Sequence, residues 1–152
     1  AREAGDMARI GRNNIFREIE LKIMLINEQI RNHQRSIEKA KRMSGWGAPA
    51  GAGGIDYSKG RQGNARISFA EGLRMVELDE ERIRGLMEER AELQKSRRRI
   101  EMIYGSLDGV EAEVFDCRVI RRMTQAEAAE RIHLSVRQLQ RIERGMKEQG
   151  LL

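Results

Sequence analysis

Hydrophobic residues in the N-terminal part of the chain recur at alternating steps of three and four positions. Such residues share one face of an α-helix, and the spacing is typical of a helix packed lengthwise against another helix. The pattern predicts a long helix over about residues 6–43, within a first segment of residues 1–43. This first seam consists of Phe16, Ile19, Ile23, Ile26, Ile30, His33, Ile37 and Ala40. Its polar member, His33, is expected to set the register of the packing.

A second pattern of the same kind predicts a long helix over residues 68–105. Ser68 and Glu71 have the S/T-x-x-E spacing of a capping box at its start. Acidic residues come early in this segment and basic residues late, which complements the helix dipole. The second seam consists of Val76, Ile83, Leu86, Leu93, Ile100 and Tyr104.

The composition changes between the two seams, at residues 44–67. Glycine recurs there, Pro49 stops any helix, and no periodicity persists, so we predict a flexible loop. Trp46 and Tyr57 lie among basic residues, a combination that could dock on nucleic acid or on a protein surface. A plain connector is an equally good interpretation. The segment lacks the G-x-x-x-x-G-K-[ST] pattern of a phosphate-binding loop.

Two long helices joined by such a loop predict an antiparallel helical hairpin that resembles a coiled coil. Seams of this length must be buried against other helices, so we also predict a homodimer or a higher homo-oligomer. The sequence leaves open whether the hairpin closes within one chain or exchanges helices between chains. The residues expected to mediate oligomerisation are Ile19, Ile23, Ile26, Ile30, Ile37, Val76, Ile83, Leu86, Leu93 and Ile100.

Two further capping boxes lie close together in the C-terminal segment, residues 106–152. Thr124 with Glu127, and Ser135 with Gln138, each mark the start of a helix. A preceding apolar helical stretch should pack behind these two helices. The segment therefore predicts a small three-helix unit, and the whole chain an all-α fold in which this unit follows the long hairpin.

The tight turn between the two short helices ends at Ser135. A turn of this kind favours a residue at positive φ, and His133, which stands there, is a type that tolerates this conformation. In the helix that follows, Leu139 and Ile142 share the inner face. Its outer face carries side chains that can pair with guanine, adenine or phosphate, namely Arg137, Gln140, Arg141 and Arg144. A surface helix with ordinary solvated charge is the alternative interpretation.

The amino-acid composition limits the possible fold, partners and cellular location. The chain has 152 residues, 35% of them charged and only 4% aromatic, which suits exposed helices better than a thick core. A formal net charge of +5 is compatible with nucleic acid as partner. The single Cys117 and the lack of a secretory or membrane-spanning pattern favour a reducing cytoplasm. We expect no enzyme activity, no cofactor and no metal site, because no nucleophile–base pair or ligand cluster is present.

The stretch TQAEAAERIHLSVRQLQRIERG resembles the helix-turn-helix of bacterial sigma factor region 4, of Cro-type repressors and of many transposases. His133 departs from the glycine that is usual in the turn. The resemblance implies that Thr124 and Gln125 contact phosphate at the start of the supporting helix. It also implies that the residues facing double-stranded DNA are Ser135, Val136, Arg137, Gln138, Gln140, Arg141 and Arg144.

The layout of the chain from about residue 45 to residue 147 is similar to phage-encoded transcriptional regulators of the ArpU/RinA type. That resemblance implies promoter binding and activation of late phage genes, such as the packaging or lysis operon, in the cytoplasm of a bacterial host cell, with RNA polymerase as a further candidate partner. One alternative is a small terminase subunit, which marks phage DNA for packaging. Another is a helical interaction module whose C-terminal unit binds the transcription machinery.

Overall fold

The computed structural model describes residues 14–45 and 67–152, which form five α-helices and one π-helical segment with no β-strand among them. In chain order the α-helices are α1 Ile15–Met43, α2 Phe69–Ser106, α3 Gly109–Phe115, α4 Gln125–Ile132 and α5 Val136–Glu148. The prediction of an all-α chain, with two long helices packed together and small helices after them, is confirmed. The predicted helical residues 6–13 and residues 46–66 of the predicted loop lie outside the described residues.

The chain divides into two compact units. The first, which we call the terminal unit, comprises Ala1–Ile23 and Ala91–Leu152. The second, the hairpin unit, comprises Met24–Arg90. Each long helix therefore contributes one segment to each unit.

The two seams are covered within a single chain except at Tyr104, which was predicted to belong to the second seam but is 41% exposed. Of the ten residues predicted to mediate oligomerisation, Ile19, Ile26, Ile30 and Val76 are buried. The rest are half-buried, namely Ile23, Ile37, Ile83, Leu86, Leu93 and Ile100. Helix–helix contacts of the same chain thus provide the burial that this apolar spacing requires.

Polar pairs fix the antiparallel register in the hairpin unit. The Nδ1 atom of His33 lies 2.8 Å from Oδ1 of Asp79, and Nη1 of Arg90 donates to Oδ1 of Asn27 over 2.7 Å. The earlier residue of α1 meets the later residue of α2, as an antiparallel pairing demands. His33 therefore interrupts the apolar seam at a point where the facing helix supplies a carboxylate.

The carboxylate of Asp79 is buried, with only 7% of the residue exposed. Burial opposes ionisation, but hydrogen bonds from Ser36 and His33 outweigh it, and these contacts hold the pKa of Asp79 below its ordinary value. Arg82 acts in the same direction. The charged form of Asp79 is consequently the one that the folded hairpin unit accommodates.

The terminal unit is built around a cluster of buried apolar residues on α3, the π-helical segment, α4 and α5. The cluster comprises Val114, Phe115, Cys117, Ile120, Met123, Ala128, Ala129, Leu139 and Met146. The long helices close it from outside through the half-buried residues Ile15, Phe16, Ile100 and Ile103, and Leu107, which directly follows α2, packs against it as well. The three C-terminal helices thus share their core with the first turn of α1 and the last turns of α2.

The helix behind α4 and α5 does not end as a regular α-helix. After α3 the chain continues as a π-helical segment, Asp116–Ile120, and the amide of Arg121 donates to the carbonyl of Asp116 over 2.8 Å. The chain then reverses at Arg122, which has a φ of 49° and forms an ion pair with Glu18 of α1 at 3.2 Å. Burial raises the pKa of the Cys117 thiol, as does the nearby Asp116, which leaves the thiol as a packing group.

Candidate nucleic-acid interface

Both predicted capping boxes are present in the helical pair α4 and α5. The amide of Glu127 donates to Oγ1 of Thr124 over 3.3 Å, and the amide of Thr124 donates to Oε2 of Glu127 over 3.2 Å. At the second helix the amide of Gln138 donates to Oγ of Ser135 over 3.2 Å, and the reciprocal bond measures 2.9 Å. Two helix starts are therefore fixed by local hydrogen bonds on either side of one short turn.

His133 forms the turn in the left-handed conformation, with φ 61° and ψ 40°. Its amide bonds to carbonyls of the last turn of α4, and the amide of Leu134 donates to the carbonyl of Ala129 over 2.9 Å. These bonds satisfy carbonyls that the end of a helix would otherwise leave unpaired. The prediction that His133 replaces the usual glycine at positive φ is confirmed.

Small residues let α5 cross α4 closely. Ala128 is fully buried and Ala129 is 3% exposed, and α5 presents the fully buried side chains of Leu139 and Met146 on its inner face. Because one face of α5 is anchored in this way, the rotation of the helix about its own axis is fixed. The side chains on its other face accordingly have a defined direction.

The outer face of α5 is basic and exposed. Arg137, Gln140, Arg141 and Arg144 lie on it, at steps of three, one and three residues. Within the described residues, none of the three guanidinium groups has an ion pair or a hydrogen bond. Three cations on one helix face, with no acidic partner in the described chain, can each accept an anionic or a base partner.

The other sequence-predicted residues surround this face. Ser135 and Gln138 are exposed but use their side chains to cap α5, and Thr124 caps α4 in the same way. Val136 stands at the first position of α5 and is 41% exposed. Gln125 is half-buried, and the contacts of its side chain lie within the protein.

A buried carboxylate lies behind the outer face. Glu143 is on the inner face of α5, is 5% exposed, and accepts a hydrogen bond from the guanidinium of Arg118 in the π-helical segment. Arg118 also donates to the carbonyl of Met123 over 2.6 Å. This pair ties α5 to the π-helical segment behind it.

The same carboxylate reaches the outer face through two amide side chains. Nε2 of Gln125 donates to Oε2 of Glu143 over 2.9 Å, and Nε2 of Gln140 donates to Oε1 of Gln125 over 3.2 Å. Four side chains from three elements therefore form one continuous line of hydrogen bonds. We call Arg118, Glu143, Gln125 and Gln140 the polar relay.

Residues 116–151 match the helix-turn-helix family. The matched segment begins at the π-helical segment and includes all of α4 and α5. No curated protein and no solved structure matches the chain. The family match supports a DNA-binding regulator with double-stranded DNA as its partner.

Sequence reasoning missed the two inner members of the polar relay. A signal existed, because Glu143 falls at helical spacing between Leu139 and Met146, on the apolar face of the helix-turn-helix. An acidic residue on a buried stripe needs a cationic or donating partner. Nothing in that spacing identifies Arg118 as the partner, since Arg118 lies on another helix.

Residues 14–45 and 67–152 contain no group of three His, Cys, Asp or Glu side chains that could hold a metal ion. Among the same residues, no helix combines the length and the apolar character needed to cross a membrane.

Proposed function

We propose that this protein is a sequence-specific transcriptional regulator that places α5 in the major groove of double-stranded DNA. The observation that carries the proposal is the outer face of α5, a helix of fixed rotation. It presents the side-chain amide of Gln140, held by Gln125, and three guanidinium groups that have no partner among the described residues. A helix of this size fits the major groove, where arginine pairs with guanine and glutamine with adenine.

Within this proposal the exposed residues have different roles. Arg137 and Arg141 read base edges together with Gln140, and Arg144 and the cap at Thr124 lie where phosphate contacts are made in helix-turn-helix proteins. Phosphate contacts set affinity and orientation, whereas base contacts set specificity. Loss of a base-reading arginine should therefore change the preferred sequence and not merely weaken binding.

The test is selection of bound duplexes from a random pool, followed by affinity measurements on the enriched sequence. Arg137→Ala and Arg141→Ala should each cost roughly 1–3 kcal/mol and relax the preference at one base pair. The matched control is the double variant Arg74→Ala, Arg84→Ala, which removes two exposed charges from the hairpin unit. Unchanged specific binding in the Arg137/Arg141 double variant would overturn the proposal.

We further propose that the regulated genes are late phage genes, such as a packaging or lysis operon. The support is the order of elements, since a helix-turn-helix follows a long helix and this layout resembles that of regulators of the ArpU/RinA type. The selected motif should then occur at the promoter of such an operon, and the purified protein should change transcription from that promoter. A motif found only at a DNA-packaging site, together with a ring of subunits, would instead favour a small terminase subunit.

We also propose that the chain forms a homo-oligomer through its long helices. α1 keeps three large apolar side chains more than half exposed, namely Leu21, Met24 and Leu25. A second copy that covered them would remove apolar surface from water. Sedimentation equilibrium should show a dimer or a higher species that Leu25→Glu shifts towards the monomer, while Leu78→Glu, at a 50% exposed position of α2, serves as the control.

A further inference from the structure

We propose that Gln125 is a positioning residue, which, with Glu143 and Arg118 behind it, fixes the side-chain amide of Gln140 so that Gln140 reads adenine. This inference rests on the proposed DNA binding by α5. It assigns Gln125 a role different from the phosphate contact that the sequence resemblance implies. The assignment follows from the donors and acceptors of the polar relay, taken from the buried end outwards.

The buried part of the polar relay is the carboxylate of Glu143, which accepts hydrogen bonds and donates none. The carboxylate of Glu143 receives Arg118 on Oε1 and Gln125 on Oε2, and its side chain is only 7% exposed. An ionised carboxylate has no proton to donate, and a buried one is stable only when donors satisfy it. Any amide that contacts Oε2 must therefore present its NH2 group.

This requirement sets the orientation of Gln125. Its Nε2 faces Glu143, so its Oε1 faces the other way, towards α5. A half-turn of the amide would place two oxygens together and leave the buried carboxylate without this donor. Gln125 is half-buried and begins α4, whose start the Thr124 capping box holds, so the whole group has a fixed place.

The orientation of Gln140 follows in turn. Because Oε1 of Gln125 accepts, Gln140 must present its NH2 group to it, and the measured contact is 3.2 Å. One N–H of Gln140 is then engaged, and its second N–H and its Oε1 remain available. A neighbouring donor and acceptor match N7 and the N6 amino group of adenine, whereas guanine offers two acceptors at the same edge.

Gln140 in isolation would have no such preference for one orientation. An exposed glutamine rotates freely, and its amide can turn over to present donor and acceptor in either order. The relay removes that freedom before DNA arrives, which is the advantage of preorganisation in binding. The preference of Gln140 for adenine thus depends partly on the carboxylate of Glu143, which does not contact the DNA itself.

The test uses the full chain and the duplex selected for the wild-type protein. The base pair read by Gln140 is the one whose preference disappears in Gln140→Ala. At that pair, we compare the affinity for the duplex with adenine to the affinity for duplexes with each other base. We make the same comparison with 7-deazaadenine, which lacks N7, and with unsubstituted purine, which lacks the N6 amino group. The salt dependence of affinity is recorded in parallel.

Gln125→Met removes the hydrogen bonds but keeps a similar shape. We expect the adenine preference at this pair, roughly ten- to hundredfold for one good amide–base pair, to fall below about threefold. We expect the salt slope and the preferences at other pairs to stay as in the wild type. The control is Gln94→Met, an exposed glutamine on α2, which should change none of these values.

The opposite pattern would overturn the inference. A preserved adenine preference, with affinity weakened by the same factor for every sequence, would show that Gln125 is a phosphate contact. The proposed function would survive that result, because specific binding by α5 would persist. A wild-type protein that enriches no motif would instead remove the proposed function and this inference together.

A measurement on the wild-type protein covers the case in which Gln125→Met fails to fold. The side-chain amide protons of Gln125, followed by NMR in the free protein, should exchange with solvent at least tenfold more slowly than those of Gln94. Equal exchange rates would show that the relay does not hold Gln125, and the inference would fall.

Discussion

Gly72 of α2 and Ser44, which follows α1, approach so closely that a methyl group at position 72 would lie 2.4 Å from the Cβ of Ser44. Ala40, one turn earlier on α1, is 1% exposed. Small residues on both helices thus allow the backbones to approach at this end of the hairpin unit. The spacing of the two helices there depends on the absence of a side chain at Gly72.

Gly72→Ala should destabilise the hairpin unit by roughly 1–3 kcal/mol, because the added methyl group meets a side chain near the backbone and forces the helices apart. Gly85→Ala is the matched control on the same helix, since a methyl group there would meet nothing within 4 Å. That variant should be more stable than the wild type by about 0.5–1 kcal/mol, through helix propensity alone. Urea unfolding followed by circular dichroism gives both values, and equal effects at the two glycines would contradict the close contact.

Glu143→Ala should cost about 3 kcal/mol of unfolding free energy, because it leaves Arg118 and Gln125 without their shared acceptor. This is the lower end of what a broken buried pair costs, since 29% of the Arg118 side chain is exposed. Glu148→Ala, at an exposed position of the same helix, should stay within about 0.5 kcal/mol of the wild type. Denaturant unfolding of the three proteins compares them directly, and a small loss at Glu143 would mean that the relay contributes little stability.

The free energy of unfolding of variants at position 133 should follow how well each residue type tolerates the left-handed conformation. His133→Val should lose about 1–2 kcal/mol, because a β-branched side chain is strained at a φ of 61°. His133→Gly should lower the free energy of unfolding by only about 0.4–1 kcal/mol, because glycine makes the unfolded chain more flexible. Thermal unfolding would rank the variants, and a valine variant as stable as the glycine variant would contradict the turn geometry.

Acid should destabilise the hairpin unit in part through Asp79. The folded protein lowers the pKa of this carboxyl, so the unfolded chain binds its proton more readily. The stabilisation that ionised Asp79 contributes is present in full above roughly pH 4, which is the pKa of an unperturbed aspartate. It is lost as the pH falls through the lower pKa that Asp79 has in the folded state. Asp79→Asn should therefore differ most from the wild type near neutral pH and least in strong acid. Denaturant unfolding of both proteins at several pH values checks this, and a difference that stays the same at every pH would contradict it.

Local patterns in the sequence predicted most of the helix-turn-helix. The spacing of Thr124 with Glu127 and of Ser135 with Gln138 gave both helix starts, and the structure has both capping boxes. His133 was predictable as the turn residue because few residue types tolerate positive φ. Each of these features depends on residues within a few positions of one another, so sequence spacing is sufficient to find them.

Contacts between distant residues were not predictable in the same way. The acidic residue on the apolar face of α5 indicated that Glu143 needs a partner, but only the packing of α5 on the π-helical segment brings Arg118 to it. The π-helical segment itself has no marker in the residues Asp116–Ile120. The seam on α1 predicted burial, yet the pairing of His33 with Asp79 depends on a register that two separate helices determine together.

The shared core of the terminal unit has a consequence for biosynthesis. Phe16 and Leu107 both cover the buried cluster of the helix-turn-helix. Phe16 leaves the ribosome before α2 is made, whereas Leu107 and the helix-turn-helix follow only after α2. Chains emerge from the N-terminus onwards, so the first turn of α1 exists without the residues it packs against until α2 and the helix-turn-helix have been made. Its apolar side chains find their permanent contacts only when α5 has emerged. A nascent chain interrupted before that point would expose the hydrophobic start of α1, a surface that chaperones and proteases could recognise.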